Sequence, residues 1–203
     1  TEGLLQLSYD EYLGLIDEYP PPDVKCECTN LVVRGGGPVA TALVALSRWG
    51  FRCSMAGVTG DDDFGNRIRS SLETEGIEIS GIQTRAGQAS QFAFIVSEPL
   101  TSRRTIFWQR PTGKPLHPDE VDICMLAESA ALHMDGLFME ASLYTAKRAK
   151  KEGIPIIVDG GTLRDGMLDL AKISDCFVVS ETFSRALAET PEETCRILAG
   201  PRV

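Results

Sequence analysis

Hydrophobic and polar positions divide this chain into two rhythms. In the first half, residues 4–9 read as a strand ending at Asp10, and a second apolar patch over 12–16 runs into Tyr19-Pro20-Pro21-Pro22-Asp23. Three prolines there forbid both helix and central strand. Leu31-Val32-Val33 is short, apolar and β-branched, the pattern of a buried strand. It leads through Gly35-Gly36-Gly37 into a predicted helix with Pro38 at its first position, where the missing N–H costs nothing. Val39, Leu43, Leu46 and Trp49 then recur at helical spacing until Gly50. Residues 53–58 read as a small-residue strand buried on both faces. After the loop Thr59-Gly60-Asp61-Asp62-Asp63, Asp63 is the predicted N-cap of a helix that Gly76 stops, with Phe64, Ile68 and Leu72 along one face. Residues 91–96 and 104–109 are β-rich runs joined by Glu98-Pro99-Leu100-Thr101-Ser102, a predicted hairpin.

The second rhythm begins near residue 130. Strands over 131–134, 155–158 and 176–179 alternate with helices over 140–152, around 168–171 and over 181–189. Such alternation means βαβ units, a parallel sheet and right-handed crossovers. A further strand is expected to start at about Val203. The fold class is therefore α/β, a mostly parallel, doubly wound sheet with helices on both faces. The aromatic hairpin, with Phe92, Phe94, Phe107 and Trp108, stands outside that rhythm. It either covers a ligand or a second subunit, or packs one sheet face on the core.

Composition narrows the partners. A chain of 203 residues with 43% hydrophobic and 24% charged residues is ordinary globular material with one sizeable core. A net charge of -9 argues against nucleic acid or an anionic membrane. Cys26, Cys28, Cys53, Cys124, Cys176 and Cys195 have neither disulfide nor zinc spacing and read as reduced thiols. His117 and His133 belong to no ligand pattern. With no signal peptide and no membrane-length apolar run, a cytoplasmic protein is expected. The chain begins without Met and ends in Pro201-Arg202-Val203, as a sequence cut at both ends would.

Chemistry concentrates at the glycine turn. Glycines before a helix N-terminus permit close backbone approach and suit an anion or polar ligand, although a plain strand-to-helix crossover would look the same. Ligands of an open parallel sheet bind beyond the carboxyl ends of its strands. Asp10, Gly35 to Gly37, Asp159 and Ser180 each follow a predicted strand and are expected to share one sheet edge. A carboxylate such as Asp10 there suits a ligand rich in hydroxyls. The aspartate triplet lacks the alternation and closing Glu of a calcium loop and reads as helix capping. Gly35-x-Gly37-x-x-Ala40 also satisfies a dinucleotide fingerprint, which keeps an NAD(P)-binding oxidoreductase as an alternative. Against it, Pro38 removes a donor from the helix start, and no acidic residue caps the end of the next strand.

Gly36-Gly37-Pro38-Val39-Ala40-Thr41, then Trp49-Gly50, then Gly60-Asp61-Asp62-Asp63-Phe64-Gly65 together resemble the signature of the ribokinase-like, or PfkB, carbohydrate kinases. The resemblance extends over nearly the whole chain. It implies one incomplete ribokinase-like α/β domain over 1–203, with β-lid segments at about 12–34 and 89–110. It further implies transfer of the ATP γ-phosphoryl to a hydroxyl of a sugar or nucleoside, with Mg²⁺, and a homodimer through the lid. Asp10, Gly36, Gly37, Thr41, Phe92 and Trp108 fall on the implied sugar side. Asp159, Arg164, Ser180 and Glu181 fall on the phosphate and nucleotide side. Thr41, Gly161, Ser180 and Phe183 depart from the family's Asn, Asn, Asn and Glu. The Gly-Ala-Gly-Asp motif, which in that family supplies the catalytic base, does not occur in this sequence, so no catalytic residue is assigned within it. A sugar-binding relative without catalysis is the remaining alternative.

Overall fold

A computed structural model describes residues 2–5 and 9–199, with side chains from residue 11 onward. Two sheets organise the chain. The larger is parallel throughout and has six strands: β1 (Glu2–Leu5), β4 (Cys53–Gly60), β5 (Glu78–Arg85), β8 (Leu132–Met134), β9 (Ile156–Gly160) and β10 (Cys176–Val179), in the order β10-β9-β8-β1-β4-β5. The second has four strands, β2 (Tyr9–Leu15), β3 (Asn30–Gly36), β6 (Phe92–Glu98) and β7 (Arg103–Gln109), in the order β3-β2-β6-β7. The α/β class with a parallel main sheet read from the sequence is the class observed.

The central position of β1 has a functional consequence. The chain builds β4 and β5 on one side of it and β8, β9 and β10 on the other, so the sheet reverses its winding beside β1. That reversal opens a crevice at the carboxyl ends of the strands.

Helices cover the sheet because their apolar stripes leave no alternative. On one side α1 (Pro38–Arg48) and α2 (Asp63–Thr74) bury Val39, Leu43, Ile68 and Leu72 against Cys53 and Met55 of β4. Ala56 and Val58, on the opposite face of β4, pack with Leu116, Phe138 and Ala141. Every residue of β4 is buried, as a strand covered on both faces requires. A second core joins Leu132, Met134, Ile156 and Val158 to Met167, Leu170 and Phe183, beneath α4 (Met139–Glu152), α5 (Met167–Ile173) and α6 (Glu181–Leu187). Gly153 closes α4 in the left-handed conformation (φ 73°), and Pro38 opens α1 as expected.

The structure corrects several expectations. The strand expected over 4–9 is two strands in different sheets: Leu4 belongs to β1, whereas Tyr9 and Asp10 open β2. Residues 6–8 between them lie outside the described residues, as does the strand expected near Val203. Leu31-Val32-Val33 is not a buried strand. It lies in β3, an edge strand paired only with β2, with Leu31 and Val33 exposed. The N-cap of α2 is Asp62, whose Oδ1 accepts from the Gly65 N–H at 2.9 Å, and Asp63 is the first helical residue. Trp49, expected on the apolar stripe of α1, is exposed at its C-cap. Strand β5 has too few apolar residues to announce itself. Two further helices, α3 (Cys124–Ala127) and α7 (Pro191–Ala199), also stood outside the sequence reading.

Beyond the hairpin, the segment from 110 to 120 returns to the parallel sheet and is fastened there by one ion pair. The Arg85 guanidinium donates to both carboxylate oxygens of Glu120, at 2.7 and 2.6 Å, and to the carbonyls of Lys114 and Pro115 at 3.2 Å. Glu120 also accepts from the His117 backbone N–H. The Arg85 hydrogen bonds, then that of His117, hold the Glu120 carboxyl down at about 2, against an ordinary value of 4.5. A depressed folded value gives stability that is present above pH 4.5 and lost as pH falls toward 2. Glu120→Gln is therefore expected to cost about 1–2 kcal/mol at pH 7. It should also flatten the loss of stability between pH 4.5 and 2, as followed by urea denaturation across that range.

Candidate functional site

A cavity of about 260 Å³ opens where the second sheet leans over the carboxyl ends of the parallel strands. Each contributing element supplies a different chemistry. Strand β7 brings the Trp108 ring and Ile106, and Pro38 comes from the first turn of α1. Asp135 follows β8, and Asp159 is the penultimate residue of β9. Gly161, Thr162 and Arg164 follow on the loop after β9, and Gln91 enters just before β6.

Register explains why the second sheet points an aromatic ring at this place. Trp108 stands opposite Ala93, and Ile106 opposite Ile95, in the antiparallel pair β6–β7. Because side chains alternate along a strand, Ala93 and Ile95 share that face, and Gln91, just before the strand, lines the same cavity. Phe92 and Phe94 point to the other. Phe92 stacks on Phe64 of α2, with centroids 4.9 Å apart and planes at 7°, and Tyr12 meets Phe64 edge-on. The aromatic hairpin thus divides its rings: Phe92 packs the sheet on α2, and Trp108 faces the cavity. Arg110 lies over the Trp108 ring at 4.7 Å, a cation–π contact.

Electrostatics at the floor of the cavity are mixed. Asp135 and Asp159 supply acceptors, and Arg164 supplies a half-buried guanidinium. Oδ1 of Asp135 accepts from the Leu137 N–H at 3.0 Å, which fixes the turn after β8. His133, one residue before the end of β8, has a buried Nε2 with no hydrogen-bond partner among the described residues. Burial pushes its imidazole below the ordinary 6.5, and nearby Asp159 opposes this only in part.

Not every residue expected at the site reaches this cavity. Pro38, Trp108, Asp159 and Arg164 meet there. Thr41 lines a different hollow of about 430 Å³, between α1, β3 and α2, together with Gly35, Arg48 and Glu75. Gly36 is buried against the Glu11 side chain, so close that a Cβ there would lie 2.4 Å from it. Gly37 carries φ 96° and precedes Pro38. The Ser180 hydroxyl caps α6 through the Phe183 N–H and donates to the Gly161 carbonyl at 2.8 Å, so it touches the cavity wall through Gly161. Glu181 is exposed and paired with Arg185. Asp10 pairs by its backbone with Gly35 and Phe92. Asp135 and Gln91 escaped the sequence reading. Asp135 follows its strand as directly as Ser180 does, and that rule, applied to β8, would have found it. Gln91 carries no such signal.

A profile described as pfkB family carbohydrate kinase matches residues 8–196. The chain belongs to that family. Among curated PfkB-family relatives, it is 26% identical over 140 residues to a fructokinase of Solanum tuberosum, a match covering 66% of this chain and 44% of that one. It is 27% identical over 131 residues to the 5-dehydro-2-deoxygluconokinase of Photobacterium profundum, covering 61% and 40%. The matches thus span less than half the length of these relatives. Two solved structures share the PfkB fold closely. The ribokinase of Giardia lamblia superposes with a TM-score of 0.81 at 16% identity, over 94% of this chain and 61% of that one. The fructokinase of Halothermothrix orenii gives 0.77 at 17% identity, over 95% and 73%.

Sheet topology separates the glycine turn from a dinucleotide-binding turn. In a dinucleotide fold that turn would follow a strand of the parallel sheet. Here it follows β3, antiparallel to β2 in the second sheet, so Gly35-x-Gly37-x-x-Ala40 matches the fingerprint in spacing without its context. Among the described residues, no helix is long and apolar enough to cross a membrane.

Proposed function

We propose that this chain forms the sugar-binding part of an ATP-dependent carbohydrate kinase, in which the γ-phosphoryl of ATP passes to a hydroxyl of a sugar or nucleoside. The supporting observation is the cavity itself. It sets an aromatic ring beside two carboxylates, an amide and a guanidinium, and that combination matches a polyhydroxylated ring. The apolar face of a sugar packs on Trp108, and its hydroxyls donate to Asp135 and Asp159. Asp10, at the start of β2, is the carboxylate that the family resemblance adds to the sugar side. In this reading the second sheet is a lid whose closure excludes water.

On the nucleotide side, Arg164 is the proposed cation for phosphate, with Ser180 and Glu181 on the neighbouring turn. Mg²⁺ carried by nucleotide phosphates needs only one or two protein carboxylates. Among the described residues, no group of three or more His, Cys, Asp or Glu could hold a metal ion. The described residues are compatible with a metal delivered with the nucleotide. The exposed apolar side chains Leu31, Val33 and Phe107 on the second sheet are proposed to be covered by a second copy in a homodimer.

The test is release of ADP from MgATP by the full-length protein, coupled to NADH oxidation, with D-fructose, D-ribose, 2-dehydro-3-deoxy-D-gluconate and adenosine each offered in turn. Release that depends on one of them is expected. Binding of a sugar without ADP release would instead support the non-catalytic relative.

A further inference from the structure

Gln91 is buried, at 4% exposure, and forms part of the wall of the cavity that holds Trp108 and Asp159. Its side-chain carbonyl oxygen has no hydrogen-bond partner among the described residues. A buried, unpaired amide oxygen costs free energy, and a chain that needed only to fold would do better with an apolar side chain there. The backbone just before it is held on several sides. The Ser90 N–H donates to Asp62 Oδ2 at 2.9 Å, the Ser90 hydroxyl donates to Asp62 Oδ1 at 2.6 Å, and the Gly60 N–H donates to the Ser90 hydroxyl at 2.8 Å. The Gly60-Asp61-Asp62 loop thus clamps the start of β6 and fixes where Gln91 enters the wall. Gln91 and Trp108 line the same cavity.

We propose that Gln91 is a specificity-determining residue: its carbonyl accepts a hydrogen bond from a ligand hydroxyl beside the Trp108 ring, so the site selects sugars that carry a donor at that position. This rests on the cavity being the sugar site. A site built to pair one hydroxyl rejects the analogue lacking it, because binding that analogue leaves the buried acceptor unpaired. The neighbouring Asp135 and Asp159 accept from other hydroxyls, whereas the neutral amide of Gln91 pairs without adding charge.

The test uses calorimetric titration of the full-length protein with D-fructose, D-ribose and 2-dehydro-3-deoxy-D-gluconate, followed by the monodeoxy analogues of whichever binds most tightly. Gln91→Met keeps the length of the side chain and removes the acceptor, and Gln91→Asn keeps the amide and draws it back. Wild type is expected to lose about tenfold or more in affinity for one deoxy analogue only. Gln91→Met is expected to bind the parent sugar about tenfold more weakly and to treat that analogue and the parent alike, with Gln91→Asn in between. The melting temperature of ligand-free Gln91→Met is expected to stay level or rise. Unchanged affinity and an unchanged deoxy profile in both variants would overturn the proposal. So would a fall in melting temperature with unchanged affinity, which would make Gln91 structural. Wild type that binds none of the three sugars would overturn the sugar reading itself, and this proposal with it.

Discussion

Gly65→Ala is expected to destabilise the protein by about 3 kcal/mol or more, far beyond the usual cost of a surface glycine substitution. A Cβ at position 65 would lie 2.2 Å from the Gly60 carbonyl oxygen and 2.7 Å from the Ser90 hydroxyl. Neither neighbour is the free end of a flexible side chain. The carbonyl belongs to the last residue of β4, and the hydroxyl is bound by both Gly60 and Asp62. Relief would require α2 to move away from β4, which would uncover Ile68 and Leu72. Burial alone would raise the Asp62 carboxyl, but hydrogen bonds from Ser90 and Gly65 outweigh it and hold the group below its ordinary range. The same carboxylate caps α2 and fastens β6, so the substitution loosens both sheets at once. Urea denaturation at neutral pH measures the effect, and a loss under about 1 kcal/mol would mean that the loop has slack which its contacts do not suggest.

Asp10→Asn is expected to weaken sugar binding by about tenfold to a hundredfold while leaving MgATP binding and the urea midpoint close to wild type. The magnitude is that of a hydrogen bond to a charged acceptor, which an amide makes less well and with one face reversed to a donor. The assignment combines the family resemblance with the strand register: Asp10 opens β2, flanked by Gly35 of the glycine-turn strand and by Phe92. Gly35 lies in β3, the strand that leads into α1, where Pro38 lines the cavity. Calorimetry with the tightest-binding sugar and, separately, with MgATP distinguishes the outcomes. Equal sugar affinity in the variant would remove Asp10 from the site.

The parts of the fold that could be read from sequence were those in which one local signal had a single solution. Strict alternation after residue 130 made β8, α4, β9 and β10 legible, because each run matched one period and Gly153 and Pro155 marked the joint between α4 and β9. The glycine turn and Pro38 were legible for the same reason. Leu31-Val32-Val33 misled, since three apolar β-branched or aliphatic residues look alike in a central strand and on the edge of the second sheet, and only tertiary pairing separates them. The run over 4–9 hid a change of sheet, because Leu4 and Leu5 of β1 and Tyr9 of β2 give the same apolar signal. Strand β5, with Glu78, Ser80, Gln83, Thr84 and Arg85, lies at the edge of its sheet and needs few apolar residues.

Site residues followed a similar division. Asp159 and Arg164 could be placed because ligands gather at strand ends and because the family pattern marks that loop. Phe92 and Trp108 could not be told apart by composition; strand register sends one ring to α2 and the other to the cavity. Thr41 is one turn of helix from the glycines in sequence, yet the turn of α1 carries it to the opposite hollow. The unpaired oxygen of Gln91 is a property of packing alone, and no sequence pattern announces it.

The central claim is that the cavity beneath the second sheet takes a sugar against the Trp108 ring. Trp49, the other tryptophan of this sequence, is 74% exposed at the end of α1 and is removed in a Trp49→Phe variant, in which the part of the emission that a further Trp108→Phe substitution abolishes is that of Trp108. Titration of that full-length variant with D-fructose, D-ribose, 2-dehydro-3-deoxy-D-gluconate and adenosine is the most direct measurement. The account predicts a saturable change in Trp108 emission with at least one of them. Emission that stays constant with all four, up to millimolar concentration, would contradict it.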